Sequence, residues 1–220
     1  MDNLISPLQR FKNSMVITYE KWHDGVGYDI EAIDLASPAE REIIEQTLIQ
    51  HSPRDWRDIE ALAKINSEKA RQAIVNAMKD PNPDVRVAVT RFAPNLVSDS
   101  QRTQSIVEAL QHAKLFGGLS QVLDDIEQYH PAEVKEALIK GLLAREGEAA
   151  VLFAGMLFYI YGKADEAFDM EQRPFFLRFN TENKEERTKV FRELCKQLNI
   201  DAEKYLDNDS SRYRQHIKGF

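Results

Sequence analysis

The fold is decided by the stretch Asp80-Pro81-Asn82-Pro83-Asp84-Val85-Arg86. Its two prolines end one helix and begin the next, because proline is excluded from a helix interior but tolerated in the first turn. Apolar residues then recur at helical spacing, at Val85, Ala88, Val89 and Phe92. The stretch therefore predicts a tight turn between two helices, with Arg86 near the start of the second and within reach of acids on a neighbouring helix pair.

Internal repetition surrounds this turn. The segment Asp29-Ile30-Glu31-Ala32-Ile33 recurs 29 positions later as Asp58-Ile59-Glu60-Ala61-Leu62. Downstream, Ser37, Arg41, Ile44 and Leu48 align with Ser67, Arg71, Ile74 and Met78, now 30 positions apart. A repeat of this length fits a short helix, a tight turn and a longer helix, and such units bury their apolar faces only by stacking.

Helix start and stop signals extend the pattern in both directions. Ser6-Pro7 predicts a first helix with an apolar face made by Leu8, Phe11, Met15, Tyr19 and Trp22. Ser37 and Glu40 form a capping-box pattern around Pro38. We expect helix pairs over residues 28–50, 56–79, 83–113 and 119–143, then a very apolar helix over 149–161 and a last clear helix from Asn183 to Leu198.

The proline turn resembles HEAT-like repeats of the phycobilisome-lyase type, in which an Asp-Pro-x-Pro-x-Val-Arg turn precedes an alanine-rich helix. This resemblance implies an all-α fold, a HEAT-like α-solenoid of about four to five stacked helix pairs with a C-terminal helical cap. We accordingly divide a single domain, 1–220, into an N-terminal capping helix (1–27), the repeats (28–165) and the cap (166–220).

Two features of the C-terminal part concern packing. The segment from Arg173 to Phe179 does not have a helical pattern, and its aromatic residues either pin the cap onto the stack or form an exposed contact for a partner. The single cysteine, Cys195, lies on the apolar stripe of its helix, which predicts a buried structural thiol. A lone cysteine also excludes an internal disulfide and fits a reducing, cytoplasmic compartment.

Charge and hydropathy exclude several classes of function. The formal net charge is −7, and residues 18–70 hold 12 acids against 6 bases. An acidic surface repels nucleic acid and anionic membranes and attracts basic partners, although acidity also serves solubility. No apolar run approaches the ~20 residues that a membrane span needs. We therefore expect neither a nucleic acid nor a membrane as partner.

Candidate catalytic and metal-binding patterns are sparse. The five histidines are not spaced as zinc ligands, so we expect no metal and no cofactor. His23 beside Asp24 is either a polarised base or, more simply, the end of a helix. HEAT-like alkylpurine DNA glycosylases suggest one enzymatic alternative, in which Trp56, Asp58 or Glu60, and Arg86 or Arg91 imitate their site. The acidic surroundings oppose that alternative, because DNA binding needs clustered Lys and Arg.

The chain also resembles HEAT-like immunity proteins of bacterial polymorphic-toxin systems. This likeness is carried by residues 22–29, 55–58 and 173–176. It implies a non-enzymatic protein that binds and neutralises a cognate basic toxin domain; the alternative is a scaffold or adaptor for another protein. We predict an acidic surface in which Trp56 is the aromatic contact, because tryptophan is frequent at binding hot spots. The alternative is that Trp56 belongs to the core and that Asp55 and Asp58 only cap and solvate the start of their helix. The acids of this predicted surface are Asp24, Asp29, Asp55, Asp58 and Glu60.

Overall fold

The structure of the protein is a computed structural model that describes residues 5–112 and 118–206. Within these ranges the regular elements are all helices and there is no β-strand, which confirms the all-α class. None of these helices combines the length and apolarity that crossing a bilayer requires. Residues 207–220, the end of the predicted C-terminal cap, lie outside the described residues.

The chain divides into two compact units, Met1–Ala109 with Phe116–Val122, and Leu110–Leu115 with Leu123–Phe220. The first unit contains α1 (Pro7–Ser14), α2 (Tyr19–His23), α3 (Ile30–Leu35), α4 (Pro38–Gln50), α5 (Trp56–Ile65), α6 (Glu68–Ala77), α7 (Pro83–Phe92) and a 3-10 turn, Pro94–Leu96. The boundary falls within α8 (Asp99–His112) and α9 (Leu119–Gln128). The second unit contains α10 (Ala132–Ala144), α11 (Glu148–Ile160), α12 (Arg173–Phe176), a 3-10 turn (Leu177–Phe179) and α13 (Lys184–Leu198).

The local start signals form as the sequence predicts. Ser37 Oγ accepts from the Glu40 amide while Glu40 Oε2 accepts from the Ser37 amide at 3.0 Å, which completes the capping box of α4. At the proline turn, Asn82 caps α7, and Arg86 donates to Glu108 Oε2 of α8 at 2.8 Å. Satisfying these amide groups fixes where each helix begins.

The core of the first unit is built from the inner faces of α1 and α3 to α7. Its fully or nearly fully buried side chains include Phe11, Ile33, Ile44, Leu48, Ile59, Leu62, Ile74 and Val89. Short residues on α5 and α6, namely Ala61, Ala70, Ala73 and Ala77, are buried between the larger ones. Small side chains of this kind allow close helix packing.

The N-terminal helix differs from the prediction. A single apolar face from Leu8 to Trp22 is wrong, because α1 ends at Ser14 and a separate helix, α2, begins at Tyr19. The Ser14 hydroxyl donates to the Phe11 carbonyl at 2.6 Å and accepts from the Asp29 amide at 2.9 Å, and Thr18 caps the new helix. Tyr19 and Trp22 consequently face solvent rather than the core.

The second unit is organised around α11, in which nine of thirteen residues are buried. The segment from Arg173 to Phe179, predicted to be non-helical, forms α12 and the 3-10 turn, because Pro174 is tolerated in a first helical turn. Phe176 packs edge-on against Phe158 with ring centroids 4.9 Å apart, and Phe179 is fully buried. Cys195 is also fully buried, and burial raises its pKa to about 12, as expected of a structural thiol.

Candidate protein-interaction surface

The predicted acidic surface is centred on the start of α5, and there the structure corrects one of its members. Asp55 caps α5, and Asp58 completes a capping box by accepting from the Asp55 amide at 2.7 Å. The Asp58 side chain has no solvent exposure, so it cannot contact a partner protein. Its assignment to the binding surface is therefore wrong, and its role is to join elements inside the first unit.

Asp58 is held by donors from three directions. Besides the Asp55 amide, its carboxylate receives the Tyr28 hydroxyl at 3.3 Å and lies 2.9 Å from His51 Nδ1. Burial raises the pKa of Asp58, while the hydrogen bonds to His51 and Asp55 oppose that rise. Burial and the neighbouring carboxylate likewise raise the pKa of Tyr28. The Asp58 carboxylate is thus enclosed by its donors, and the His51 side chain among them is partly exposed.

Arg57 fixes the loop before α3 to the start of α5. This arginine is only 2% exposed, and its Nε donates to the Val26 carbonyl at 2.7 Å. Its Nη1 donates to both oxygens of Asp55 at 3.0 and 3.1 Å, so Asp55 is already engaged by an internal cation. The bond from Arg57 Nε to the Val26 carbonyl positions the segment that follows α2 against α5, while the Nη1 contacts with Asp55 hold the guanidinium in place.

Trp56 is partly buried and packs against the core of the first unit. Its ring is nearly parallel to that of Phe92, with centroids 6.3 Å apart, and the Arg57 guanidinium lies 4.6 Å from its centroid. The residue thus has an internal packing role. Its predicted role as the aromatic contact of a partner stays a prediction.

Glu60 lies beside Trp56 on α5, close to the backbone of the loop after α2. A Cβ atom added to Gly27 would lie 3.0 Å from Glu60 Oε2 and 3.8 Å from the Trp56 ring. Burial raises the pKa of Glu60, against the opposing charges of Arg91 and Arg57. Asp84 at the start of α7 also has its pKa raised, first by burial and then by the charge of Asp55. Both carboxyl groups therefore lose part of their hydration on folding.

The two remaining predicted acids differ in exposure. Asp29 caps α3 and pairs with Arg10, whose Nη2 lies 2.7 Å from Asp29 Oδ2. Asp24 ends α2, and its side chain is 66% exposed, with Oδ1 3.0 Å from His23 Nδ1. Asp24 is thus the most exposed of the predicted acids, and it lies directly after α2.

The α2 surface is the feature that the sequence pattern did not reveal. We define it as Val16, Tyr19, Trp22 and Val26 together with the acids Glu20 and Asp24. All four apolar side chains are exposed, Tyr19 at 71% and Trp22 at 47%, and no residue of α2 is buried. The rings of Tyr19 and Trp22 lie 6.0 Å apart at 36°. Adjacent exposed apolar side chains, as these two rings are, occur at interaction sites.

The exposed helix is nonetheless well defined by its ends. Thr18 caps its start, and Gly25, at φ +64°, ends it. The Val26 amide donates to the Lys21 carbonyl at 2.9 Å and the Gly25 amide to the Trp22 carbonyl at 3.3 Å, a Schellman arrangement. Arg57 bonds the Val26 carbonyl and so ties the end of this turn to α5, while the Tyr19 and Trp22 side chains remain exposed.

The residues that the glycosylase-like alternative assigns to a catalytic site make structural contacts in the first unit. Asp58 is buried, Trp56 packs on Phe92, and Arg86 bonds Glu108 and the Asp80 carbonyl. In the part of the chain that the structure describes, no group of three or more His, Cys, Asp or Glu side chains is arranged to hold a metal ion. Comparison of the chain with protein-family models, curated proteins and solved structures finds no match.

Proposed function

We propose that this protein is a protein-binding module that binds and neutralises a basic bacterial toxin in the cytoplasm. The proposal includes the finer architecture, a HEAT-like stack of about four to five helix pairs with a helical cap. The repeated apolar pattern and the helix pairs α3–α4 and α5–α6 support that architecture.

The observation that carries the proposal is the outward presentation of Tyr19 and Trp22 on α2. A protein that exposes two neighbouring aromatic rings leaves apolar area in water that a partner would bury. Tryptophan and tyrosine are also the residue types that most often dominate binding energy at interfaces. No residue of α2 is buried, so the core of the first unit does not account for either ring.

Charge supports a basic partner. The segment 18–70 holds twice as many acids as bases, and Glu20, Asp24 and Glu31 are exposed within it. Complementary charge accelerates encounter with a basic protein and disfavours acidic ones. Toxin domains that act on nucleic acid are commonly basic, which agrees with the resemblance to immunity proteins.

The test is a growth experiment with the product of the gene immediately upstream of the one that encodes this chain. We expect that product to arrest growth when it is expressed alone, and co-expression of this chain to restore growth. Tyr19→Ala plus Trp22→Ala should abolish the rescue, whereas Ile43→Ala plus Val75→Ala, at two exposed apolar positions elsewhere, should preserve it. Binding without any effect on growth would favour an adaptor, and base release from alkylated DNA would favour a glycosylase-like enzyme.

A further inference from the structure

The loop between α11 and α12 combines exposed apolar side chains with acids. Phe168 is 44% exposed and Met170 is 70% exposed. The loop also holds four acids, of which three are exposed and one is half-buried, and among the residues that the structure describes none of them is paired with a lysine or arginine. We define the loop surface as Phe168 and Met170 together with Asp165, Glu166, Asp169 and Glu171.

The loop is packed against α11 although these side chains face water. The Lys163 amide donates to the Phe158 carbonyl at 2.8 Å, directly after the end of α11. Ala167 is buried, and its carbonyl oxygen lies so close to Gly155 that a Cβ atom added there would be 2.7 Å away. The exposure of the loop surface therefore belongs to a backbone that is fixed at two points on the second unit.

The basic segment, residues 210–220, has the complementary composition. It contains no acid and three bases, with aromatic or branched apolar residues between them: Arg212, Tyr213, Arg214, Ile217, Lys218 and Phe220. The loop from 163 to 172 instead holds four acids and one base. Opposite charge on two segments that both carry apolar side chains favours contact between them.

Contacts on α10 place the start of the basic segment near the loop. The Tyr205 hydroxyl donates to Glu136 Oε2 at 2.7 Å. The ammonium of the adjacent Lys135 lies 5.3 Å from the Tyr161 ring centroid, and Tyr161 is two residues before the loop begins. The six residues 207–212 reach up to about 20 Å when extended, so the bases are within reach of the loop acids.

We propose that the basic segment binds the loop surface of the same molecule, with its bases beside the loop acids and its apolar side chains on Phe168 and Met170. Such a contact removes apolar area from water and supplies cations to acids that have none. The chain's own segment is favoured over that of a second copy, because so short a connection gives an effective concentration on the order of 1 mM. The contact goes beyond the proposed function and does not involve the α2 surface.

The first experiment uses the full chain with ¹³C in the methionine methyl groups. Met170 is the exposed reporter, assigned by the loss of its signal in Met170→Leu, and the fully buried Met156 is the internal control for folding. We expect Arg212→Glu plus Arg214→Glu plus Lys218→Glu to shift the Met170 signal toward that of free methionine. Salt at about 0.5 M should move it in the same direction, because screening weakens the ion pairs. The Met156 signal should stay in place.

A matched variant separates the contact from overall charge. Lys12→Glu plus Lys69→Glu plus Lys79→Glu changes the net charge equally at three exposed lysines of the first unit, and it should leave the Met170 signal unchanged. A Met170 signal that does not respond to the reversals in the basic segment, or that shifts equally in the matched variant, would overturn the inference. A shift that depends on protein concentration would overturn it in favour of a contact between two copies.

The acidic side of the contact is tested by tryptic cleavage after Arg212 and Arg214, followed by mass spectrometry of the full chain. Cleavage follows the fraction of molecules in which a segment is unbound, provided that binding is fast. Asp165→Asn plus Glu166→Gln plus Glu171→Gln should therefore accelerate it by about threefold or more.

The control for this second experiment neutralises three exposed acids elsewhere in the second unit. Glu148→Gln plus Glu182→Gln plus Glu185→Gln changes the net charge by the same amount and should alter the cleavage rate by about 1.5-fold at most. Equal rates in the two triple variants would show that the loop acids do not hold the basic segment.

Discussion

His51 Nδ1 lies 2.9 Å from both carboxylate oxygens of Asp58, in a pair whose carboxylate is fully buried and whose imidazole is 36% exposed. His51 follows the last residue of α4, and Asp58 belongs to the first turn of α5. The contact therefore connects two consecutive helices at the point where the chain passes from one pair to the next. The Tyr28 hydroxyl and the Asp55 amide complete the same cluster.

Removing the Asp58 carboxylate should destabilise the protein strongly. In Asp58→Ala, the Tyr28 hydroxyl, the Asp55 amide and His51 lose their common acceptor, and we expect a loss of about 3 kcal/mol in the free energy of unfolding. Asp34→Ala is the control, since the Asp34 side chain is 51% exposed and pairs with Lys64, and it should cost about 1 kcal/mol or less. Urea denaturation at pH 7 measures both, and equal losses would contradict the structural role of Asp58.

Glu60 and Asp84 should respond to pH in the opposite sense to an ordinary ion-paired acid. Burial raises the pKa of each, so the folded state favours the protonated form, and the stability they contribute at low pH is lost as pH rises through the folded pKa. The substitutions Glu60→Gln and Asp84→Asn remove that loss. We expect both to raise the melting temperature at pH 7, with the gain shrinking as pH falls toward about 4.

Glu136 should respond to pH in the opposite sense to Glu60 and Asp84, because its pKa is lowered on folding. Its pKa is lowered, chiefly by the Tyr205 hydroxyl that donates to Glu136 Oε2 at 2.7 Å. Its stabilising contribution is present above the unfolded pKa and lost as pH falls, so Glu136→Gln should lower the melting temperature at pH 7 and have less effect in acid. If all three variants shift in the same direction, the assigned directions of the pKa changes are wrong.

The local chemistry of helix ends could be predicted from the sequence, because caps depend on residues a few positions apart. Ser37 with Glu40, and the prolines before α7, form the structures that their spacing indicates. The break between α1 and α2 was missed because apolar spacing continues through it. The bonds that Ser14 makes with Phe11 and Asp29 decide it, and the second of these bonds is not local in sequence.

The exposure of the predicted acids could be inferred from the sequence only in part, for a reason visible in the repeat. The sequence match pairs Asp29 with Asp58, and Ala32 and Ile33 are buried as Ala61 and Leu62 are. Yet α5 begins one turn earlier than α3, because Asp55 supplies its cap, and this places Asp58 inside the first turn and out of solvent. Exposure depends on tertiary packing, so the repeat indicates equivalent positions without indicating which of them face water.

Arg57 should tolerate no replacement by lysine. Arg57→Lys retains the charge but loses the fork that joins Asp55 to the Val26 carbonyl, in a side chain that is nearly inaccessible to water. We expect a loss of roughly 3 kcal/mol in unfolding free energy, because the Val26 carbonyl and the Asp55 carboxylate both lose hydrogen bonds from a charged donor. Arg10→Lys, at a half-exposed pair with Asp29, is the control and should cost about 1 kcal/mol or less. Comparable losses for the two would show that Arg57 has no special structural role.

Gly155→Ala should destabilise the second unit even though alanine is the better helix former. An alanine in place of glycine within a helix ordinarily adds up to about 1 kcal/mol of stability. At Gly155, in α11, the added Cβ would lie 2.7 Å from the Ala167 carbonyl oxygen, a backbone atom that cannot turn aside. We expect a lower melting temperature in calorimetry. An unchanged or higher value would show that the segment around Ala167 moves away readily.

The three exposed or partly exposed aromatic positions should separate stability from binding. Tyr19→Ala and Trp22→Ala remove rings that face solvent on a helix with no buried residue, so each should change the unfolding free energy by about 0.5 kcal/mol or less. Trp56→Ala removes a ring that packs on Phe92 and on the core, and should cost about 3 kcal/mol.

If the α2 surface receives the partner, growth rescue should fail in the first two variants although they fold as well as the parent. The Trp56 variant should instead recover partial rescue when the growth temperature is lowered, because its defect is one of folding. Full rescue by Trp22→Ala together with Tyr19→Ala would exclude α2 as the contact, and a stability loss in those variants equal to that of Trp56→Ala would show that α2 packs against the core after all.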